Sequence, residues 1–220
     1  MARSTNGRNN ILRSARDTFA EKGFDGASIR DIAHAAGLSL SALYYYFPSK
    51  QEALYELVHT AYSWYIGHAQ AVIAEVDEDP VDRLAVAVRY LTRYRMENVS
   101  VSTVLLRDTE RLTGDNAVTV RALQKEAREV VGNLVQAGID AGSFRVESET
   151  LATRAIHSIC NSLSLWYRPT GDLTPDMIER DFTQYSLRML GIDPSKEELD
   201  RLLNLPVNQA GMLDFIADPN

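Results

Sequence analysis

Ser28-Ile-Arg-Asp-Ile-Ala-His-Ala-Ala-Gly37-Leu-Ser39-Leu-Ser-Ala-Leu-Tyr-Tyr-Tyr-Phe47-Pro-Ser-Lys50 reads as a short helix, a glycine turn and a second short helix. Such a pair is a helix-turn-helix, which places its second helix in the major groove of DNA. At about 100° per residue, Ala42, Leu43, Tyr46 and Phe47 fall on one arc of the second helix. Leu40, Ser41, Tyr44 and Tyr45 fall on the other. The first arc closes a small core. The second has no core role and is free to meet a partner, so Leu40, Ser41 and Tyr45 are expected at base edges, the leucine against a thymine methyl.

The helix boundaries are marked in the same stretch. Ser28 with Asp31 has the spacing of a capping box, and Ser49 with Glu52 repeats it. Gly37 falls where the first helix must end in the left-handed conformation that glycine adopts cheaply. Ser39 caps the next helix, and Pro48 separates it from the one after. Upstream, Ile11, Leu12, Ala15 and Phe19 repeat at helical spacing, and Gly23 and Gly26 close that helix. Three short helices in residues 1–50 make a minimal DNA-binding unit.

Phe19-Ala-Glu-Lys-Gly23-Phe, Ile32-Ala-His-Ala-Ala-Gly37-Leu-Ser39 and Leu43-Tyr-Tyr-Tyr-Phe47-Pro-Ser-Lys50 together resemble the TetR family of bacterial transcriptional regulators. The likeness is close over the first quarter of the chain. Beyond it, only length and helical character match. Leu40 stands where the family commonly has a polar or basic residue, and Ser41 where glycine is frequent. The resemblance implies a homodimer on a palindromic operator, with Ser28, Arg30, Tyr44 and Lys50 gripping the DNA backbone. Helix N-termini also offer free N–H groups to phosphate.

The 220 residues carry a net charge of −7, which looks wrong for a DNA binder until it is divided. Residues 1–50 have a balance of +3 and the remainder −10. Phosphate attracts the first segment and repels the second, so the acidic body restrains non-specific binding. No apolar run approaches the ~20 residues that span a bilayer, and no signal peptide opens the chain. A single cysteine, Cys160, excludes an intramolecular disulfide framework. These features predict a cytoplasmic protein without a membrane segment.

After Pro48 the pattern stays helical, giving an all-α fold. A DNA-binding domain over 1–50 is followed by a helical ligand-binding and dimerisation bundle over 51–220. Helices are predicted from Ser49 to Ala74, Pro80 to Glu97, Val101 to Leu112, Ala117 to Ala141, Glu149 to Tyr167, Thr174 to Gly191 and Ser195 to Leu203. Thr113–Asn116 reads as a turn, and a weakly patterned tail follows Leu203. Ala155, Ile159, Leu163 and Trp166 line one stripe, and Ile178, Phe182, Tyr185 and Met189 another. Either stripe suits the domain core or a second copy. By the resemblance, the two helices form a four-helix bundle with their symmetry mates.

An enzyme is not expected. The four histidines show no metal-ligand spacing, and no nucleophile elbow, P-loop or dinucleotide fingerprint occurs. Cys160 reads as a buried small hydrophobe. No catalytic residue, metal or cofactor is predicted. A pocket for a small-molecule effector suits the body better, because its aromatics carry polar atoms that need partners once buried. Tyr65, Tyr90, Tyr94 and Trp166 are the candidate lining, with Arg93 and Arg107 as cations. Arg107-Asp-Thr-Glu-Arg111 reads either as a solvated helix face or as an anion holder.

Gly138-Ile-Asp-Ala-Gly142-Ser-Phe-Arg145, with Trp166-Tyr-Arg-Pro169 to Thr174, resembles family members that sense acyl-coenzyme A thioesters. A free fatty acid, a steroid-like or aromatic metabolite and a drug-like compound remain open as effectors. The alternative from another class is a helical interaction protein or enzyme accessory that has lost DNA binding. Selection of DNA from random genomic fragments separates the two.

Overall fold

A computed structural model of the protein describes residues 2–207. The tail expected after Leu203 lies largely outside them. Among the described residues the fold is all-α. The ten helices are α1 (Ala2–Gly26), α2 (Ile29–Ala35), α3 (Leu40–Tyr46), α4 (Lys50–Ala74), α5 (Pro80–Glu97), α6 (Val99–Arg107), α7 (Gly114–Asp140), α8 (Glu149–Trp166), α9 (Pro175–Met189) and α10 (Lys196–Leu203).

The chain divides into two compact units. Among the described residues, one comprises 2–63 and 98–124, and the other 64–97 and 125–207. Helices α4 and α7 each contribute a part to both.

In the first unit α1 packs on α2 and α6, and α2 on α3. Ile11, Leu12 and Phe19 of α1, Ile32 of α2, Leu43 of α3 and Phe47 are all buried. Each such side chain contributes about 1.5–3 kcal/mol when taken from water. The capping box closes as expected: Ser28 accepts the Asp31 amide and Asp31 accepts the Ser28 amide. Gly37 has φ +68°, and the Leu38 amide reaches the Ala33 carbonyl at 2.9 Å. That left-handed residue lets the chain reverse between α2 and α3.

In the second unit α5 is the central helix and packs on α8, α9 and α10. Glu179 of α9 is buried and pairs with both Arg89 and Arg93 of α5. Arg89 also donates to the carbonyls of Leu202 and Leu205, where α10 ends. Arg201 of α10 binds Asp82 through two hydrogen bonds of 2.5 and 2.8 Å. Such bidentate pairs fix the geometry of the elements they join.

Two boundaries differ from the sequence pattern by three residues or more. Helix α6 stops at Arg107 and a 3-10 turn follows over Thr109–Arg111, instead of one helix running to Leu112. Asp108 is drawn to another partner there, and the Thr109 hydroxyl takes the Leu105 carbonyl at 2.7 Å. Helix α7 starts at Gly114, inside the segment expected to be a turn. Asp115 then sits in its first turn, where the helix dipole favours a negative charge.

Candidate nucleic-acid interface and interior pocket

Helix α3 is short because Ser39 caps one end and Pro48 closes the other. The Ser39 hydroxyl accepts the Ala42 amide at 3.2 Å. Leu43 and Phe47 anchor it to the core. Its outer arc is then fixed by geometry. Ser41 is exposed, Tyr44 is 45% exposed and Tyr45 84%, while Leu40 is half-buried. Tyr45 stands edge-on to Tyr46, with ring centroids 5.3 Å apart. A largely exposed tyrosine on a helix whose other face is anchored is placed to stack or hydrogen-bond with an incoming surface.

The remaining interface candidates fall into two groups. Ser28 and Arg30 are exposed at the start of α2. The Ser28 hydroxyl is engaged with the Asp31 carboxylate at 2.5 Å, and Lys22 approaches the same carboxylate at 2.9 Å. These hydrogen bonds, that from Ser28 first, hold Asp31 well below the usual carboxylate range. Lys50 is placed differently. Its ammonium donates to the carbonyls of Phe24 at 2.5 Å and Ala27 at 2.8 Å.

The effector candidates are not all brought together. Tyr65 of α4 and Tyr90 and Tyr94 of α5 form one buried aromatic cluster. Tyr65 lies 5.9 Å from Tyr90 and 5.1 Å from Tyr94, and Trp64 stacks near Tyr94 at 6.0 Å. The hydroxyls of Tyr65 and Tyr90 are buried without a hydrogen-bond partner among the described residues, as is that of Thr183 on α9. Burial pushes both phenols far above their ordinary pKa.

Arg93 is turned to Glu179 and lines a cavity of about 280 Å³ with Met96, Glu97, Tyr167 and Asp176. Trp166 lies at the end of α8, 40% exposed, and donates to the Ser162 hydroxyl at 3.0 Å. Arg107 belongs to the first unit, where it donates to the carbonyls of Phe19 and Ala20 and pairs with Asp108. Of the segment read as a solvated helix face or an anion holder, Arg107, Glu110 and Arg111 are exposed while Asp108 and Thr109 are buried, and Arg111 pairs with Asp25 at 2.9 Å.

The sequence reading took Cys160 as a buried small hydrophobe, which it is, but did not anticipate Thr92, Arg95 and Asn161 around it. The Thr92 hydroxyl lies 3.7 Å from the Cys160 thiol, and Arg95 donates to Asn161 at 3.0 Å. Burial pushes the Cys160 thiol up to about 11. His157 is pushed down to about 4, first by burial and then by the Arg95 charge. Thr92, Arg95, His157, Cys160 and Asn161 recur at helical spacing on α5 and α8. That spacing was the only signal available, and core packing produces the same one.

The two apolar stripes of α8 and α9 divide between core and surface. Leu163 and Ile178 are buried. Leu151, Leu165 and Trp166 on α8 and Met177 and Tyr185 on α9 are exposed, between 40% and 77%. Among the described residues no cluster of three or more His, Cys, Asp or Glu residues is arranged to hold a metal ion. No helix there is long and apolar enough to cross a membrane.

Comparison with known proteins finds two family matches along the chain. Residues 11–57 match the family described as bacterial regulatory proteins, tetR family. Residues 77–190 match the tetracyclin repressor-like C-terminal domain. The HTH-type transcriptional repressor KstR2 of Rhodococcus jostii is 28% identical over 179 residues, 80% of this chain and 86% of that protein. The solved TetR family transcriptional regulator PfmR of Thermus thermophilus is 30% identical, covers 82% of this chain and 97% of its own, and superposes with a TM-score of 0.72. The ketosteroid transcriptional regulator KstR2 of Mycobacterium tuberculosis is 26% identical with a TM-score of 0.72, over 84% of this chain and 93% of its own.

Proposed function

Because the chain belongs to the TetR family of bacterial transcriptional regulators, we propose that it is a ligand-released repressor that docks Leu40, Ser41 and Tyr45 of α3 against operator bases. Ser28, Arg30 and Tyr44 contact the flanking phosphates in this reading. The observation that carries it is the outer arc of α3, which presents two exposed tyrosines on a helix anchored to the core from its other side. The DNA-binding function resides in residues 1–50 and the regulatory function in 51–220. The protein performs no chemical step of its own and works in the cytoplasm, beside the chromosome.

The repressor acts as a homodimer. Two-fold symmetry presents two recognition helices to two half-sites, and each binding event assists the other. The exposed apolar face of α8 and α9 supplies the contact, with Leu165, Trp166 and Tyr185 at its centre. Leu165→Glu therefore yields a monomer by sedimentation and abolishes tight operator binding. A dimer that survives this substitution removes the face from the interface.

The effector is a small apolar molecule with at least one polar oxygen, of the acyl-CoA or steroid-like type. Its site is the cluster of Tyr65, Tyr90 and Tyr94, where two hydroxyls await an acceptor or donor. Support comes from the resemblance to acyl-CoA-sensing members and from the name of a relative, a ketosteroid regulator. Helix α4 is the natural lever. It is continuous from Lys50, next to the recognition helix in the chain, to the turn carrying Tyr65. A coupling of about 1–3 kcal/mol between effector and DNA sites reduces operator affinity by roughly 5- to 150-fold.

The test begins with selection of DNA from random genomic fragments against competitor. Release of the selected operator is then measured with matched acyl-CoA, free acid and free CoA. Release by the acyl-CoA alone identifies the class. Release by the free acid alone, or by none of the three, removes the acyl-CoA assignment and leaves the regulator standing.

A further inference from the structure

The joint between α1 and α2 is held in an unusual way. Gly23 breaks α1 with φ +73°, and the chain then turns through Phe24 to Ser28. A break of this kind leaves carbonyl groups without helical partners. The carbonyls of Phe24 and Ala27 both receive Lys50, the first residue of α4, at 2.5 and 2.8 Å. The same ammonium lies 4.1 Å from the centre of the Phe24 ring, which packs on Phe19 at 5.7 Å. The Phe24 amide is taken on its other side by Asp108. An ammonium has three N–H donors, and two are committed to carbonyls.

From this geometry we infer that Lys50 is a positioning residue for DNA recognition, not a phosphate ligand. It fixes the Phe24–Ala27 joint to the start of α4, and the joint in turn sets where α2 and α3 hold Ser41 and Tyr45. The long stem spans from the α4 N-terminus to both carbonyls, and the compact head fits between them and the ring. The inference rests on the DNA-binding reading, which fails separately if the wild-type protein selects no DNA.

Two neutral substitutions distinguish positioning from phosphate binding. Lys50→Met removes every donor, and Lys50→Gln keeps two N–H donors without charge. Operator affinity of the full-length protein is measured from 50 to 300 mM salt by fluorescence anisotropy on the selected fragment, and thermal stability is measured without DNA. Lys50→Met is expected to bind about ten-fold more weakly and to melt earlier, because charge-assisted hydrogen bonds are lost. Its slope of log affinity against log salt is expected to equal that of wild type. Lys50→Gln is expected to recover at least about three-fold of that loss, since it still donates to the joint.

A phosphate ligand behaves otherwise. Each lost phosphate contact flattens the slope by about 0.9, and both neutral variants then lose equally with no change in melting. That pattern overturns the inference. If Lys50→Met fails to fold, the salt slope of Lys50→Gln against wild type decides alone: an unchanged slope supports positioning and a flattened one refutes it.

Discussion

The Asp108 carboxylate accepts the Phe24 amide at 3.2 Å across 84 residues of chain. It is 3% exposed, and its other oxygen holds Arg107 at 2.9 Å. Arg107 in turn donates to the carbonyls of Phe19 and Ala20. The end of α6 therefore grips the end of α1 through both an acceptor and a donor. Asp108→Ala leaves a buried amide unmet and is expected to cost about 2–4 kcal/mol of stability, measured by urea unfolding. Asp108→Asn keeps the acceptor oxygen and should recover part of the loss. Equal losses for both variants would show that the charge, not the Phe24 bond, matters.

Base reading predicts a different signature. Tyr45 is 84% exposed and Ser41 is exposed, so truncating either to alanine should leave unfolding within about 0.5 kcal/mol of wild type. Operator affinity should fall by about 1–3 kcal/mol for each, with relaxed preference at one or two base positions. Binding competition with single-base operator variants measures this. Unchanged selectivity in both variants argues against the docking of α3.

The tyrosine hydroxyls give opposite signs for stability and response. Tyr65→Phe and Tyr90→Phe each remove a buried hydroxyl without a partner, so ligand-free melting should hold or rise. The effector concentration for half-release of the operator should rise about five-fold, the equivalent of about 1 kcal/mol. A fall in melting temperature with unchanged release would mean that the hydroxyls serve only the fold.

His157 makes stability depend on pH. Its folded value of about 4 lies below the ordinary 6.5, because burial and the Arg95 charge disfavour the imidazolium. Arg128 offers a backbone carbonyl to the ring at 3.4 Å, a weak counterweight. The unfolded chain thus binds the proton first as pH falls. Stability from the neutral ring is complete above about 6.5 and lost progressively toward 4, by at most about 3 kcal/mol. Urea unfolding at pH 7.5 and 4.5 should show this loss in wild type and a smaller one in His157→Gln.

The helix-turn-helix was legible in the chain because its determinants are local. Capping at Ser28 and Ser39, the left-handed Gly37 and the Pro48 stop each act within a few residues, and each appears where the pattern placed it. The two arcs of α3 were legible for the same reason. Helical periodicity sorts most of their side chains, with Leu43 and Phe47 buried and Ser41, Tyr44 and Tyr45 exposed, while Leu40, Ala42 and Tyr46 at the edges of the arcs are half-buried.

Partner choice was not legible, because it depends on residues far apart in the chain. Nothing near Lys50 announces that its ammonium meets the Phe24 and Ala27 carbonyls, and nothing near Arg107 points to Phe19. The stripe of α8 likewise could not say which of its residues face the core. Packing against α5 buried Leu163 and left Trp166 outside. Sequence determined the helices and their faces through short-range hydrogen bonding and periodicity. Tertiary structure decided which charges are spent within the fold, because a long cationic side chain goes to the unsatisfied carbonyls that folding brings within its reach.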